Sequence, residues 1–239
     1  DTFLGNSANS TFRGGIGNDT FYSSGGVNIH DGGADNDLFI ITSSTHGVGS
    51  LIGGLGNDTV DFSGVTDLVT PTKGLVITLN GNETVQALLN DVDSHKLTGI
   101  ENVTGTIYND TIQGDYNNNI LRGFAGNNTL IGGAGDDTLI GGTGTDVASY
   151  ETSIGGIKVD LTNVNFQVTD DGLGGRDNLI GIDTIVGSMH ADVFRGKDGE
   201  GNTFIGGEGN DWFYASKGND FYTGHANSID TVDYSYIKA

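Results

Sequence analysis

The 239 residues contain no cysteine, and proline, methionine and tryptophan occur once each. Without cysteine there are neither disulfides nor zinc–thiolate sites to staple a small core. No apolar run reaches the roughly 18 residues that a membrane-spanning helix needs. Cationic residues are scarce: 10 Lys and Arg stand against 31 Asp and Glu, a formal charge of −21 at pH 7. Nucleic acids and anionic membranes are both bound through clustered Lys and Arg, so this balance argues against either as a partner. The same surplus suits the binding of many cations, and uncompensated it opposes a compact state by self-repulsion. Catalytic signatures are missing as well. There is no GxSxG, no P-loop and no cysteine nucleophile, and the histidines at 30, 46, 95, 190 and 225 form no HExxH. The expectation is a chain without enzymatic chemistry of its own. It begins at Asp1 rather than Met and shows no signal peptide, which reads as a piece of a longer protein.

Glycine is what the sequence has in excess, 42 residues, and its placement is periodic. Gly14–Tyr22 reads GGIGNDTFY, Gly53–Asp61 GGLGNDTVD, Gly132–Ile140 GGAGDDTLI and Gly206–Tyr214 GGEGNDWFY. All four fit GGxGxDxUx, with U a large apolar residue, and a fixed short period is the signature of a solenoid. From Gly5 the register runs through 5–13, 14–22, 23–31 and 32–40 without a slip, with Ser10, Asp19, Asn28 and Asp37 at position six. Five further nonamers fill 105–149, with Asp110, Asn119, Asn128, Asp137 and Asp146 at that position. A third run begins with Asp192, takes a one-residue insertion, and continues with Asn202, Asp211 and Asp220.

A longer period overlies the short one. Asn57–Phe62, Thr145–Tyr150 and Ile229–Tyr234 resemble one another, with Asp58, Asp146 and Asp230 equivalent. GLVITL at 74–79 recurs as GIKVDL at 156–161, and GIENVTGT at 99–106 as GIDTIVGS at 181–188. The organisation read from this is a repeat region at 1–61, an insert continuing the solenoid at 62–104, central repeats at 105–149, a second insert at 150–186, and a third region at 187–239 that starts another block.

In each nonamer GGxGxD makes a turn, because glycine takes positive φ without steric cost, and xUx makes a short strand. The fold class is therefore all-β, a right-handed parallel β-roll of about 18 residues per coil with two strand-containing inserts. Phe21, Phe39, Val60, Leu121, Leu130, Leu139, Phe194, Phe204, Phe213 and Tyr222 are expected inside. Position-seven residues such as Thr20, Thr129 and Trp212 are expected outside. Such an interior is thin, and no repeat buries its apolar face alone.

Metal fills that gap. Ca²⁺ takes six to eight oxygens, from carboxylates and backbone carbonyls alike. The candidate ligand turns are Gly14, Gly15, Gly17 and Asp19; Gly32, Gly33 and Asp37; Gly53, Gly54, Gly56 and Asp58; Asp110; Asn119; Gly126 and Asn128; Gly132, Gly133, Gly135 and Asp137; Gly141, Gly142, Gly144 and Asp146; Asp192; Asn202; Gly206, Gly207, Gly209 and Asp211; Gly218 and Asp220; and Asp230. Turns on one side recur every second nonamer, so an ion is expected to bridge Asp19 with Asp37, Asn119 with Asp137, Asn128 with Asp110 and Asp146, Asp192 with Asp211, and Asn202 with Asp220. Asparagine supplies an oxygen without charge, so its loops are expected to bind more weakly. Asp91, Asp93, Asp170, Asp171 and Glu200 fall outside the pattern and are expected on a solvated surface. Glu101 and Asp183, at equivalent points of the two inserts, are expected in strand-surface or turn roles. His30 stands at a U position and is expected half-buried.

These nonamers resemble the RTX (repeats-in-toxin) family of type I-secreted bacterial proteins, on the motif residues Gly14, Gly15, Gly17 and Asp19 and their equivalents in the other copies. The resemblance implies secretion in unfolded form and folding on several calcium ions outside the cell or at the bacterial surface. It leaves two contexts open: a structural segment of a surface protein, adhesin or S-layer-like, or the secretion and folding module of an extracellular enzyme or toxin. A cell-surface or carbohydrate partner is not identifiable from the sequence.

Overall fold

The computed structural model describes residues 1–5, 9–23, 26–43, 49–66, 74–80, 85–89, 92–235 and 237, the side chains of 85–88 and 92–94 excepted. The expected xUx strands form, most of them three residues long, and they stack in parallel. One sheet runs through Thr2–Leu4, Thr20–Ser23, Leu38–Ile41, Thr59–Asp61, Asn102–Thr104, Ile120–Ala125, Thr138–Thr143 and Asn178–Ile180. A second, of twelve strands, contains Thr11–Ile16, Ile29–Ala34, Gly49–Leu55, Thr111–Gln113, Thr129–Ile131, Val147–Ser149, Thr184–Val186, Thr203–Ile205 and Phe221–Thr223, together with three insert strands. A third joins Lys158–Asp160 and Val168–Asp170 to Val193–Arg195, Trp212–Tyr214 and Thr231–Asp233. No helix long and apolar enough to cross a membrane occurs among the described residues.

The U residues form continuous ladders because a parallel register places each one over its equivalent. Val60, Val103, Leu121, Leu139 and Leu179 succeed one another in the first sheet. Ile112, Leu130, Ala148, Ile185 and Phe204 do so in the second. The two ladders meet in an interior one side-chain layer deep, where the rings of Phe21 and Phe39 stack at 5.0 Å and His30 from the opposite sheet lies 5.3 Å from Phe21. His30 is fully buried rather than half-exposed, because it substitutes for an apolar U residue between Phe12 and Phe21. Burial lowers its pKa to about 4, so it enters the core as a neutral ring. Tyr222, near the end of its sheet, is only partly covered.

Since each ladder position packs only against its neighbours, a single truncation is felt locally but fully. Leu130→Ala, at a residue with no solvent exposure, should lower stability in calcium by about 2–5 kcal/mol. Thr129→Ala on the outer face should change it by less than about 0.5 kcal/mol. Denaturant titration of the two variants checks this, and equal losses would contradict the ladder.

The inserts are where the chain departs from a purely parallel roll. Val85–Leu89 runs antiparallel to both Leu75–Thr78 and Val92–Thr98. The outer two strands of this trio then pair in parallel with Thr111–Gln113 and Gly49–Leu55. In the second insert Lys158–Asp160 is antiparallel to Val168–Asp170 and parallel to Val193–Arg195. Each insert thus contains a chain reversal; both outer strands of the first continue the parallel ladder, and in the second Lys158–Asp160 does so while Val168–Asp170 is the edge of its sheet.

Candidate metal centre

The glycine-rich turns project their oxygens into small gaps between coils. In loop 14–19, Gly15 and Gly17 sit at φ +104° and +105°, and Gly54/Gly56, Gly133/Gly135, Gly142/Gly144 and Gly207/Gly209 repeat the pair of positive angles. At position four of loop 32–37 Asp35 takes φ 75° in glycine's place, and in loop 123–128 Phe124 and Gly126 take 73° and 89°. The position-six carboxylate folds back over the position-one glycine. A Cβ on Gly14 would overlap Asp19 Oδ2 and lie 2.7 Å from the carbonyl oxygen of Gly32, the equivalent glycine of the next coil. The same pairing recurs at Gly53, facing Asp58 Oδ2 and Gly99 O, and at Gly141, facing Asp146 Oδ2 and Gly181 O. One carboxylate oxygen and one carbonyl oxygen from successive loops therefore share a space that a side chain would fill.

The other carboxylate oxygen locks the stack. The backbone N–H of Asp19 donates to Asp37 Oδ1 at 2.8 Å, that of Asp37 to Asp58 Oδ1 at 2.8 Å, and that of Asn119 to Asp137 Oδ1 at 2.7 Å. Asp110 N–H donates to Asn128 Oδ1, and Asn128 N–H to Asp146 Oδ1. The chain is continued from Asp192 N–H to Asp211 Oδ1, from Asp211 N–H to Asp230 Oδ1 and from Asn202 N–H to Asp220 Oδ1. All the expected loop pairs are thus adjacent, with the coil of 19 residues after Asp192 accommodated by the inserted residue. Glu101 and Asp183 fill the same bonding role from the inserts: Glu101 Oε2 accepts the N–H of Asp58 at 2.7 Å, and Asp183 Oδ2 that of Asp146 at 2.7 Å.

Beyond this lock the loops divide into two kinds. Asp19, Asp37, Asp58, Asp137, Asp146 and Asp211 each keep a buried Oδ2 with no hydrogen-bond donor. These six belong to the loops that carry Gly-Gly at positions one and two. An uncompensated buried carboxylate is costly unless it is paired or coordinates a cation. Hard oxygen donors suit calcium rather than zinc, which prefers nitrogen and sulfur. No three acidic or histidine side chains converge among the described residues, so an ion here would need further ligands from backbone carbonyls, such as that of Gly32 beside Asp19 Oδ2.

The second kind satisfies itself. Thr106, Ser188 and Ser216 replace glycine at position two, and their hydroxyls donate to Asp110 Oδ1, Asp192 Oδ1 and Asp220 Oδ2, each at 2.8 Å. Their backbone N–H groups donate to the same carboxylates. At Asn128 the amide nitrogen reaches Asp146 Oδ1 at 2.9 Å and the Gly126 carbonyl at 3.2 Å. At Asn202 it reaches Asp220 Oδ1 at 2.7 Å and the Glu200 carbonyl at 3.2 Å. Asn119 is satisfied too: its Oδ1 accepts the N–H of Asp115 at 2.8 Å and its amide donates to the Glu101 carbonyl at 2.8 Å. The sequence held the signal for these hydroxyl latches, Ser or Thr in place of the second glycine.

Burial dominates the electrostatics of the open loops. It raises Asp137 to about 8, against the opposing N–H of Asn119, with the charges of Asp177, Asp171 and Asp115 adding to the rise. It likewise raises Asp58 and Asp211 to about 6. A carboxyl group whose folded pKa lies above its unfolded value near 3.8 favours folding when protonated. In metal-free protein this contribution is complete below about pH 4 and is lost as pH rises through 6 to 8. Chelated protein should therefore gain β signal in circular dichroism on acidification from pH 8 to 4.5. A signal that falls over that range would refute the assignment of these carboxylates as the destabilising groups.

The outlying acidic residues separate. Asp170 pairs with Lys158 at 2.8 Å and Glu200 with Lys197 at 2.6 Å, both at the surface. Asp171, expected in solvent, is fully buried, because the loop 171–177 folds onto the roll instead of away from it. Asp91 lies outside the described residues and Asp93 outside the described side chains. His46 is likewise outside, and Trp212 is 41% exposed on the outer face. The open loops alternate with strands at the spacing of a known repeat: the family model described as the RTX calcium-binding nonapeptide repeat (4 copies) matches residues 4–39, 50–69, 97–123, 113–148 and 198–228, more than half of the chain. No curated protein matches it.

Proposed function

Because the chain belongs to the RTX calcium-binding nonapeptide repeat family, we propose that it is a calcium-folded structural segment of a large secreted surface protein, adhesin or S-layer-like. The roll binds several calcium ions and is a structural module of a kind found in secreted proteins. When bound, calcium supplies positive charge and coordination for six to eight oxygens. The chain does the rest. Position-six Oδ1 atoms hold successive loops in register, Oδ2 atoms and glycine carbonyls present the ligands, and the ladders of U residues exclude water. We assign the ions to the loops ending at Asp19, Asp37, Asp58, Asp137, Asp146 and Asp211, where the unpartnered carboxylate oxygens are.

The surface-protein context is carried by the block repeat: two inserts of similar sequence, each reversing the chain and returning it to the ladder, punctuate three repeat runs at 1–61, 105–149 and 187–239. Such a layout extends a rod by adding blocks. The complete open reading frame tests it. Further copies of the block on either side support the reading, while a neighbouring catalytic domain would replace it with a folding and secretion module of an extracellular enzyme or toxin.

A further inference from the structure

We propose that the second insert builds a calcium site of its own, held by Asp171 Oδ2, a ligand outside the nonapeptide pattern, together with the Gly135 carbonyl. The inference rests on calcium binding by the roll and adds a ligand from outside the repeats. Loop 171–177 lies directly on loop 132–137: Asn178 N–H donates to Asp137 O at 2.8 Å, Asp137 N–H to Asp177 Oδ1 at 3.0 Å, and Arg176 N–H to Asp136 Oδ1 at 3.0 Å. Asp177 Oδ1 takes the stacking bond from Asp137, and its Oδ2 already accepts the hydroxyl of buried Tyr150 at 2.7 Å. Asp171 Oδ1 accepts the N–H groups of Leu173 and Gly175 at 2.7 and 2.8 Å, which fixes the carboxylate in place.

Its Oδ2 has no donor at all, although the residue is wholly buried. The gap it faces is the same kind of space found in the repeats. A Cβ on Gly175 would overlap Gly135 O and lie 2.8 Å from Asp171 Oδ2. The Asp137 carboxylate of the same loop pair also leaves Oδ2 without a donor. Among the described residues no cation pairs with either carboxylate: Arg176, the nearest in sequence, turns outward to Asp136 at 2.7 Å and over the ring of Phe166 at 4.5 Å. The unpartnered Asp171 Oδ2 and the Gly135 carbonyl beside it are hard-oxygen donors of the type calcium takes.

Asp171→Asn tests the site, since it retains the Oδ1 acceptor of both backbone bonds and replaces only Oδ2. Native mass spectrometry of the calcium-loaded chain should count one ion fewer than in the wild type, with the others retained. An unchanged count and unchanged calorimetric affinity would overturn the inference and leave calcium binding by the repeats standing. A wild-type chain that binds no calcium would instead overturn the reading on which it rests. Should Asp171→Asn not fold, calcium anomalous scattering from wild-type crystals decides: a peak between Asp171 Oδ2 and Gly135 O supports the site, and its absence there overturns it.

Discussion

Chelation of calcium with EGTA at neutral pH should abolish most of the β signal in far-ultraviolet circular dichroism, and restored millimolar calcium should bring it back. The physical reason lies in seven buried Oδ2 atoms, those of Asp19, Asp37, Asp58, Asp137, Asp146, Asp171 and Asp211, that have no donor. Leaving one buried polar group unsatisfied costs about 1–3 kcal/mol, and more when it is charged. Seven such groups therefore cost on the order of 10 kcal/mol, as much as the roughly 5–15 kcal/mol that stabilises a whole domain. The one-layer interior has no surplus to offset this, and a net charge of −21 adds long-range repulsion. Magnesium at the same concentration should not substitute, because it demands near-octahedral geometry and gives up its water reluctantly. A chain with identical spectra in EGTA and in calcium would disprove the account.

The regular half of this arrangement was legible because two periods coincide. A residue at position eight must face inward when strands alternate, and a residue at position six must meet its equivalent when coils stack, so Leu121, Leu130 and Leu139 and the pairs Asp19–Asp37 and Asn119–Asp137 follow from counting. What counting hides is whether a carboxylate still needs a cation. Asp137 and Asp192 occupy the same repeat position, yet one keeps an open oxygen and the other is closed by Ser188. That difference lies in the side chain four residues upstream, not in the aspartate. Asp171 was invisible for another reason. DGLGGRD breaks the nonamer, and only the antiparallel excursion before it places the loop on the roll. His30 shows the converse, a polar residue that obeys the apolar period so strictly that it is fully buried.

Asp137→Asn should separate the ion's contribution from that of the hydrogen-bonded stack. The substitution keeps Oδ1, which accepts the N–H of Asn119, and puts an amide where the unpartnered oxygen stood. In calcium it should remove at least one ion and weaken the binding of those in adjacent coils, since each loop is organised by its neighbours. Loss of an ion held at 100 times its dissociation constant lowers stability by about 2.7 kcal/mol. Without calcium the sign of the argument changes. Burial raises the Asp137 carboxyl to about 8, so at pH 4.5 it is protonated and resembles the amide. Chelated wild type and variant should then have the same β signal at pH 4.5. Asp192→Asn, in a loop that Ser188 already closes, should leave the ion count in calcium untouched. Calorimetric titration of the two variants with calcium distinguishes them: equal losses at 137 and 192 would show that the hydroxyl latch does not replace the ion. Calcium binding that survives unaltered in Asp137→Asn would remove Asp137 from the ligand set.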